Sequence, residues 1–111
     1  MGPFFTEIIT RLPQADMPIP GLATFLAQAG DQQFVFMSFE KGVDIPEHSH
    51  EAQWGVVLDG EMELTIEGRT LFLKKGDSYF VPKDATHSAR IKSGYKDLTL
   101  FNQRDRYRPM L

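Results

Sequence analysis

The sequence predicts an all-β fold, a sandwich or barrel built from many short strands. Three observations lead there. Turn signals punctuate the chain at close spacing: Gly30-Asp31, Gly42, Asp59-Gly60, Gly68, Gly76-Asp77, Lys83-Asp84 and Ser93-Gly94. The stretches between them are rich in Val, Ile, Thr and aromatic residues, side chains that suit a pleated, half-buried surface. No segment after Leu22 carries a helical repeat over two turns.

Taken in order, residues 1–21 form an N-terminal segment and a Pro-rich arm. Pro13, Pro18 and Pro20 fall so close together that a regular helix is excluded, and the arm is expected to cross the surface in an extended conformation. A barrel is expected over residues 22–103. Residues 21–30 read as a strand because they run into the Gly30-Asp31 turn. Further strands are expected at 34–39, 53–58, 61–67, 70–74, 78–81, 87–91 and 97–101. The clearest is 61–67, where Met62, Leu64 and Ile66 alternate with Glu61, Glu63, Thr65 and Glu67, giving one apolar and one largely acidic face. Residues 104–111, with Arg104, Arg106 and Arg108 alternating with Asp105, Tyr107 and Pro109, read as a solvated tail.

Composition narrows the classes of function. The chain has 111 residues, 41% of them hydrophobic, with nine Phe, three Tyr and one Trp, enough for one core. It has no Cys, so disulfides, thiolate metal ligands and thiol catalysis are ruled out. A formal charge of −3 with mixed signs argues against nucleic acid as a partner, since such binders cluster a basic excess on one face. No apolar run approaches the ~20 residues of a membrane span, and Glu7 and Arg11 interrupt the only apolar stretch near the N-terminus. The expectation is a cytoplasmic protein that contacts neither nucleic acid nor membrane.

Only three residues are histidine: His48, His50 and His87. In an extended segment residues i and i+2 share a face, so His48 and His50 would present two imidazoles side by side, half of a first-row metal site. The spacing alone leaves two readings open, a metal site and a histidine pair on a solvent-facing strand end.

The surrounding residues resemble the cupin family. Gly42, His48, His50 and Gly60 stand at the spacings of its first motif, and Gly76, Pro82 and His87 at those of its second. The resemblance covers residues 34–101 and implies a double-stranded β-helix, the jelly-roll cupin barrel, preceded by the extended arm. It implies one divalent transition metal ion (Zn, Mn, Fe or Ni) held by His48, His50, His87 and a fourth ligand. That ligand is usually Glu, and the position counted back from Gly60 is Gln53 here. The interval from His50 to Gln53 is one residue shorter than usual, so Gln53 can join the site only through a bend or bulge. Glu47 and Glu51 are the nearby carboxylates that could replace it. Asp84 stands where the family commonly has Gly, and Ile91 where it commonly has Asn.

Three imidazoles and an amide are uncharged, which suits a Lewis-acid role toward a small oxygenated anion. The resemblance implies a sugar acid or related carboxylate, and isomerisation, ring opening or decarboxylation. A dioxygenase, favoured if a Glu were the fourth ligand, and a non-catalytic ligand-binding or sensing module remain alternatives; Asp84 and Glu51 are the candidate general bases. If Gln53 faces inward, so do Gly55 and Val57, with Gly55 leaving space beside the metal. Tyr79, Phe80 and Arg90 complete the candidate substrate contacts. Trp54, Val56 and Leu58 would then form an outward apolar strip, the expected interface of a homodimer.

Overall fold

Alternation of apolar and polar residues sorts the strands into two facing sheets. The computed structural model describes residues 3–110, so Met1, Gly2 and Leu111 of the two terminal segments lie outside the described residues. A four-residue helix, α1 (Glu7–Thr10), precedes nine strands: β1 (Leu22–Ala29), β2 (Gln32–Phe39), β3 (Val43–His48), β4 (Gln53–Asp59), β5 (Glu61–Ile66), β6 (Arg69–Lys74), β7 (Ser78–Val81), β8 (His87–Ile91) and β9 (Lys96–Phe101). They form a five-stranded sheet of order β1-β2-β9-β4-β7 and a four-stranded sheet of order β3-β8-β5-β6. Every paired neighbour is antiparallel, and the whole is a jelly-roll barrel.

The inward positions follow the period of two. Val35, Met37 and Phe39 from β2, Val57 from β4, Met62 and Leu64 from β5, Val81 from β7 and Phe101 from β9 fill the space between the sheets. Gly60, between β4 and β5, adopts φ +77°, and a Cβ there would lie 2.8 Å from Tyr95 Cα, so only glycine makes this turn without strain.

Eight of the nine strands fall on segments the sequence marks. The ninth, β3, carries Asp44, Pro46 and Glu47 and has no fully buried residue, so it lacks an apolar signature. It lies at the edge of its sheet and pairs only with β8, the one setting where an internal proline breaks no ladder.

The terminal segments pack more than a surface arm and a solvated tail would. Ala15 is buried; its N–H donates to Thr24 O at 3.3 Å, and Leu26 N–H donates to Pro13 O at 2.7 Å, so the arm runs beside β1. On its other side Asp16 N–H donates to Arg108 O, and Met110 N–H to Gln14 O, each at 2.7 Å. The buried amide of Gln33 then clamps the tail: it accepts from Tyr107 N–H at 3.0 Å and donates to Tyr107 O at 2.9 Å. Phe5 packs edge-on against Phe25 and Phe36, covering the outer face of β1 and β2. Among the described residues no helix is long and apolar enough to cross a membrane.

Candidate metal centre

His48 ends β3 and lies directly across from His87, the first residue of β8. His50 follows in the corner where the chain leaves the four-stranded sheet for β4 of the other. The three rings converge, with centroids 5.2 Å apart for His48 and His50, 4.2 Å for His48 and His87, and 4.7 Å for His50 and His87. One ring nitrogen of each lies within 4.8 Å of the others.

Backbone carbonyls decide which nitrogen that is. His48 Nδ1 lies 2.9 Å from Pro46 O, His50 Nδ1 2.7 Å from Glu51 O, and His87 Nδ1 2.9 Å from Ala85 O. A carbonyl oxygen only accepts, so each Nδ1 carries the proton and each Nε2 keeps a free lone pair. Orientation of a ligating imidazole through its second nitrogen is the usual support of a metal site. Burial disfavours the imidazolium and lowers the pKa of His50 to about 4, helped by the nearby Arg106 charge against the opposing Glu51 hydrogen bond. Burial also lowers that of His87. His50 and His87 are therefore held neutral, and the three imidazoles, oriented and close, fit a divalent transition metal ion.

The expected bend between His50 and Gln53 is present: Glu51 is a bend between β3 and β4. Because the chain turns a corner there, strand parity across the interval does not apply, and Gln53 lines the same cavity as the three histidines. Glu47 and Glu51 do not line it. Glu47 is exposed, and Glu51 pairs with Lys83 at 3.5 Å. The loop is braced from the second motif, where Asp84 N–H donates to His50 O at 2.9 Å. Asp84 stands at φ +64°, a conformation Asp tolerates better than most residues. A turn residue with that backbone role leaves it outside the cavity.

The cavity holds about 310 Å³, and its walls include Met37, Phe39, Val43, Ile45, Met62 and Leu64. Of the five expected substrate contacts only Tyr79 lines it. Gly55 does face inward, but the space it leaves is filled: a Cβ there would lie 2.2 Å from Tyr79 Cζ, so the glycine makes room for the Tyr79 ring. Val57 is inward and buried in the core packing away from the cavity. Phe80 and Arg90 do not line the cavity. Phe80 alternates with Tyr79 and is 56% exposed on the outer face, and Arg90 lies outside, near Asp44 at 3.4 Å and Glu63 at 3.9 Å.

Two contributors lie in the segment read as a solvated tail. Tyr107 packs edge-on against Phe101 at 5.3 Å, and Phe101 in turn against His50 at 5.5 Å. The Arg106 guanidinium lies 4.7 Å from the Tyr107 ring centroid and lines the cavity, its Nε buried without a hydrogen-bond partner among the described residues. The alternation of Tyr107 with the arginines was the available signal, since it sets an aromatic anchor among the charges. At the other end of the cavity lies buried Asp97, whose Oδ2 accepts from Tyr79 OH at 3.0 Å and Tyr95 OH at 2.9 Å.

Known proteins share this architecture. Residues 35–101 match the family model described as the cupin domain. A quercetin 2,3-dioxygenase from Bacillus subtilis (strain 168) is 36% identical over 69 residues, which are 59% of this chain and 20% of that protein, so the chain spans about a fifth of that relative's length. The structure of KdgF from Halomonas sp. superposes with a TM-score of 0.71 at 27% identity, covering 83% of this chain and 88% of that one. An RmlC-like cupin from Shewanella frigidimarina superposes with a TM-score of 0.75 at 25% identity, covering 95% and 94%. With more than half of its length matched by the family model, the chain belongs to the cupin family.

Proposed function

We propose that this cupin is a metal-dependent enzyme acting on a small anionic molecule that carries carbonyl or carboxylate oxygens on a compact apolar body. The observation that carries this reading is an oriented histidine cluster containing no carboxylate, opening into an apolar-walled cavity. His48, His50 and His87 would hold the ion through Nε2, with Gln53 as the fourth ligand. When bound, such an ion keeps its full +2 charge and supplies Lewis acidity toward a carbonyl or carboxylate oxygen.

The chain's own residues supply the rest. Arg106 adds a positive charge beside the site and is anchored by stacking on Tyr107, so a negative group is drawn to this end of the cavity. The apolar walls exclude water and favour a hydrocarbon or ring over a heavily hydroxylated sugar. Isomerisation, ring opening and decarboxylation all fit an uncharged ligand set. A dioxygenase is the second reading, favoured by the likeness to the Bacillus subtilis quercetin 2,3-dioxygenase.

The test is turnover of carbonyl and carboxylate compounds by metal-loaded and metal-stripped protein, with oxygen consumption followed in parallel. Turnover that requires metal and consumes no oxygen supports the leading reading. Metal-dependent oxygen consumption favours the second, and tight binding without turnover would make the chain a ligand-binding module. Arg106→Gln is expected to raise KM for the anion about tenfold.

We also propose a homodimer. Trp54 and Phe80 are cross-strand neighbours, both exposed on the outer face of the five-stranded sheet, and form an apolar pair. Trp54→Glu should halve the mass in solution, and an unchanged mass would remove this interface.

A further inference from the structure

Asp97 is a carboxyl group buried in the barrel. It is 4% exposed and lines the cavity from β9. Its Oδ2 is satisfied twice, by the hydroxyls of Tyr79 and Tyr95. Its Oδ1 is buried and has no hydrogen-bond partner among the described residues. A buried acceptor left open in this way carries a desolvation cost that folding alone does not offset.

The surroundings show that the group is held deliberately. Tyr79 reaches Asp97 by laying its ring across Gly55, where any Cβ would collide with it. The Thr99 hydroxyl lies 3.4 Å from the Tyr79 hydroxyl, the next inward position along β9. Tyr79, Tyr95 and Gly55 together fix one carboxylate oxygen, while the other stays buried without a hydrogen-bond partner among the described residues.

The location gives the meaning. Inward residues of β9 run Asp97, Thr99, Phe101, and Phe101 packs against His50. Asp97 and Phe101 are four residues apart along an antiparallel strand, so their Cα atoms are separated by roughly 13 Å. The histidines and Arg106 lie at the Phe101 end of the cavity, and Asp97 lies further along β9, directly across from Met37, with Thr99 as the inward position between.

We infer that Asp97 Oδ1 is the second polar contact of the cavity's ligand, accepting a hydrogen bond from a hydroxyl at the end of the molecule opposite its anionic group. The inference rests on the anion-binding reading above and specifies the ligand further: a hydroxylated ring acid, with oxygen functions at both ends and none required between them. Tyr79 and Tyr95 are positioning residues that aim the carboxylate. No covalent step is involved; the proton stays on the ligand hydroxyl.

The experiment uses the metal-loaded full chain at pH 8 and two pairs of probes, each differing by one hydroxyl: benzoate with 4-hydroxybenzoate, and cinnamate with 4-hydroxycinnamate. Dissociation constants are measured calorimetrically. In at least one pair the hydroxylated member should bind tenfold or more tightly, because the analogue without it leaves the buried acceptor unpaired. In Asp97→Leu, which fills a similar space with no hydrogen-bonding group, that preference should fall below threefold, with metal content unchanged in the same samples. Equal binding within each pair by the wild-type protein would overturn the Asp97 subsite while leaving the anion-binding reading in place. Failure of all four probes to bind the metal-loaded protein would overturn both. A hydroxyl preference that survives in folded Asp97→Leu would also remove Asp97 from the subsite.

Discussion

The two ends of the cavity are both polar groups set into an apolar barrel, yet they are built in opposite ways. At the metal end His48 and His50 sit two residues apart, and His87 arrives by direct cross-strand pairing. Each imidazole is fixed by a carbonyl no more than two residues away in sequence. At the far end Asp97, Tyr79 and Tyr95 come from two strands and the loop before β9, and Gly55 on a third strand is needed to admit them. At the first end two of the three histidines and every supporting carbonyl are local in sequence, and a single strand pair, β3 with β8, brings in the third. The second end needs three strands and a loop, so it is coupled more widely to the packing of the barrel.

That contrast can be broken by mutation. The largest effect is expected from His48→Ala combined with His50→Ala, which should abolish stoichiometric metal binding, read by elemental analysis. Asp97→Asn should keep the full metal content. Loss of metal from the Asp97 variant would show that the two ends are not independent.

The next effect is in stability. Burial raises the Asp97 pKa from 3.8 to about 6, against the opposing hydrogen bonds of Tyr95 and Tyr79, the titratable groups that face it. Between about pH 4 and pH 6 the native state therefore holds a proton that the unfolded state has released. Stability contributed by this group is highest below that window and falls as pH rises through it. Relative to Asp97→Asn, the wild-type protein should lose up to about 3 kcal/mol across the window, since each tenfold difference in proton affinity between the folded and unfolded chain corresponds to about 1.4 kcal/mol. Parallel pH profiles of unfolding for the two proteins would contradict this.

Gly55→Ala should cost about 1–3 kcal/mol by forcing the Tyr79 ring from its place, the usual cost of overpacking. Denaturant unfolding measures it, and metal binding should survive. The smallest effects belong to the outward side chains. Arg90→Ala should change stability by no more than about 0.5 kcal/mol, and both it and Phe80→Ala should leave ligand affinity unaltered. A large change in affinity in either would return those residues to the site.

Legibility in the sequence followed the same division. A strand such as β5 was readable because one face is apolar at period two, and the histidines because motif spacing is local. The edge strand β3 was not, since a strand that buries nothing fully and carries Pro46 has no apolar period. Gln53 could be named but not placed by parity, because a corner between two sheets resets which face a residue presents. Facing was legible along β4, where Gly55 and Val57 are inward and Trp54 is exposed, but not what fills the space over Gly55. Strand alternation puts Phe80 and Arg90 on the outer face. Arg106 and Asp97 were missed because their roles depend on partners distant in sequence: Gln33 holds the tail that carries Arg106, and Tyr79 and Tyr95 hold Asp97.

His48, His50 and His87 converge on a position for one metal ion. X-ray absorption spectroscopy on untagged protein, loaded in turn with manganese, iron, nickel and zinc salts and then dialysed, reads its coordination. About one equivalent of at least one of these metals is expected, with three imidazoles in its coordination sphere and the remaining donors light atoms. Two imidazoles or fewer around the retained ion, or no metal retained from any of the four salts, would rule out the site.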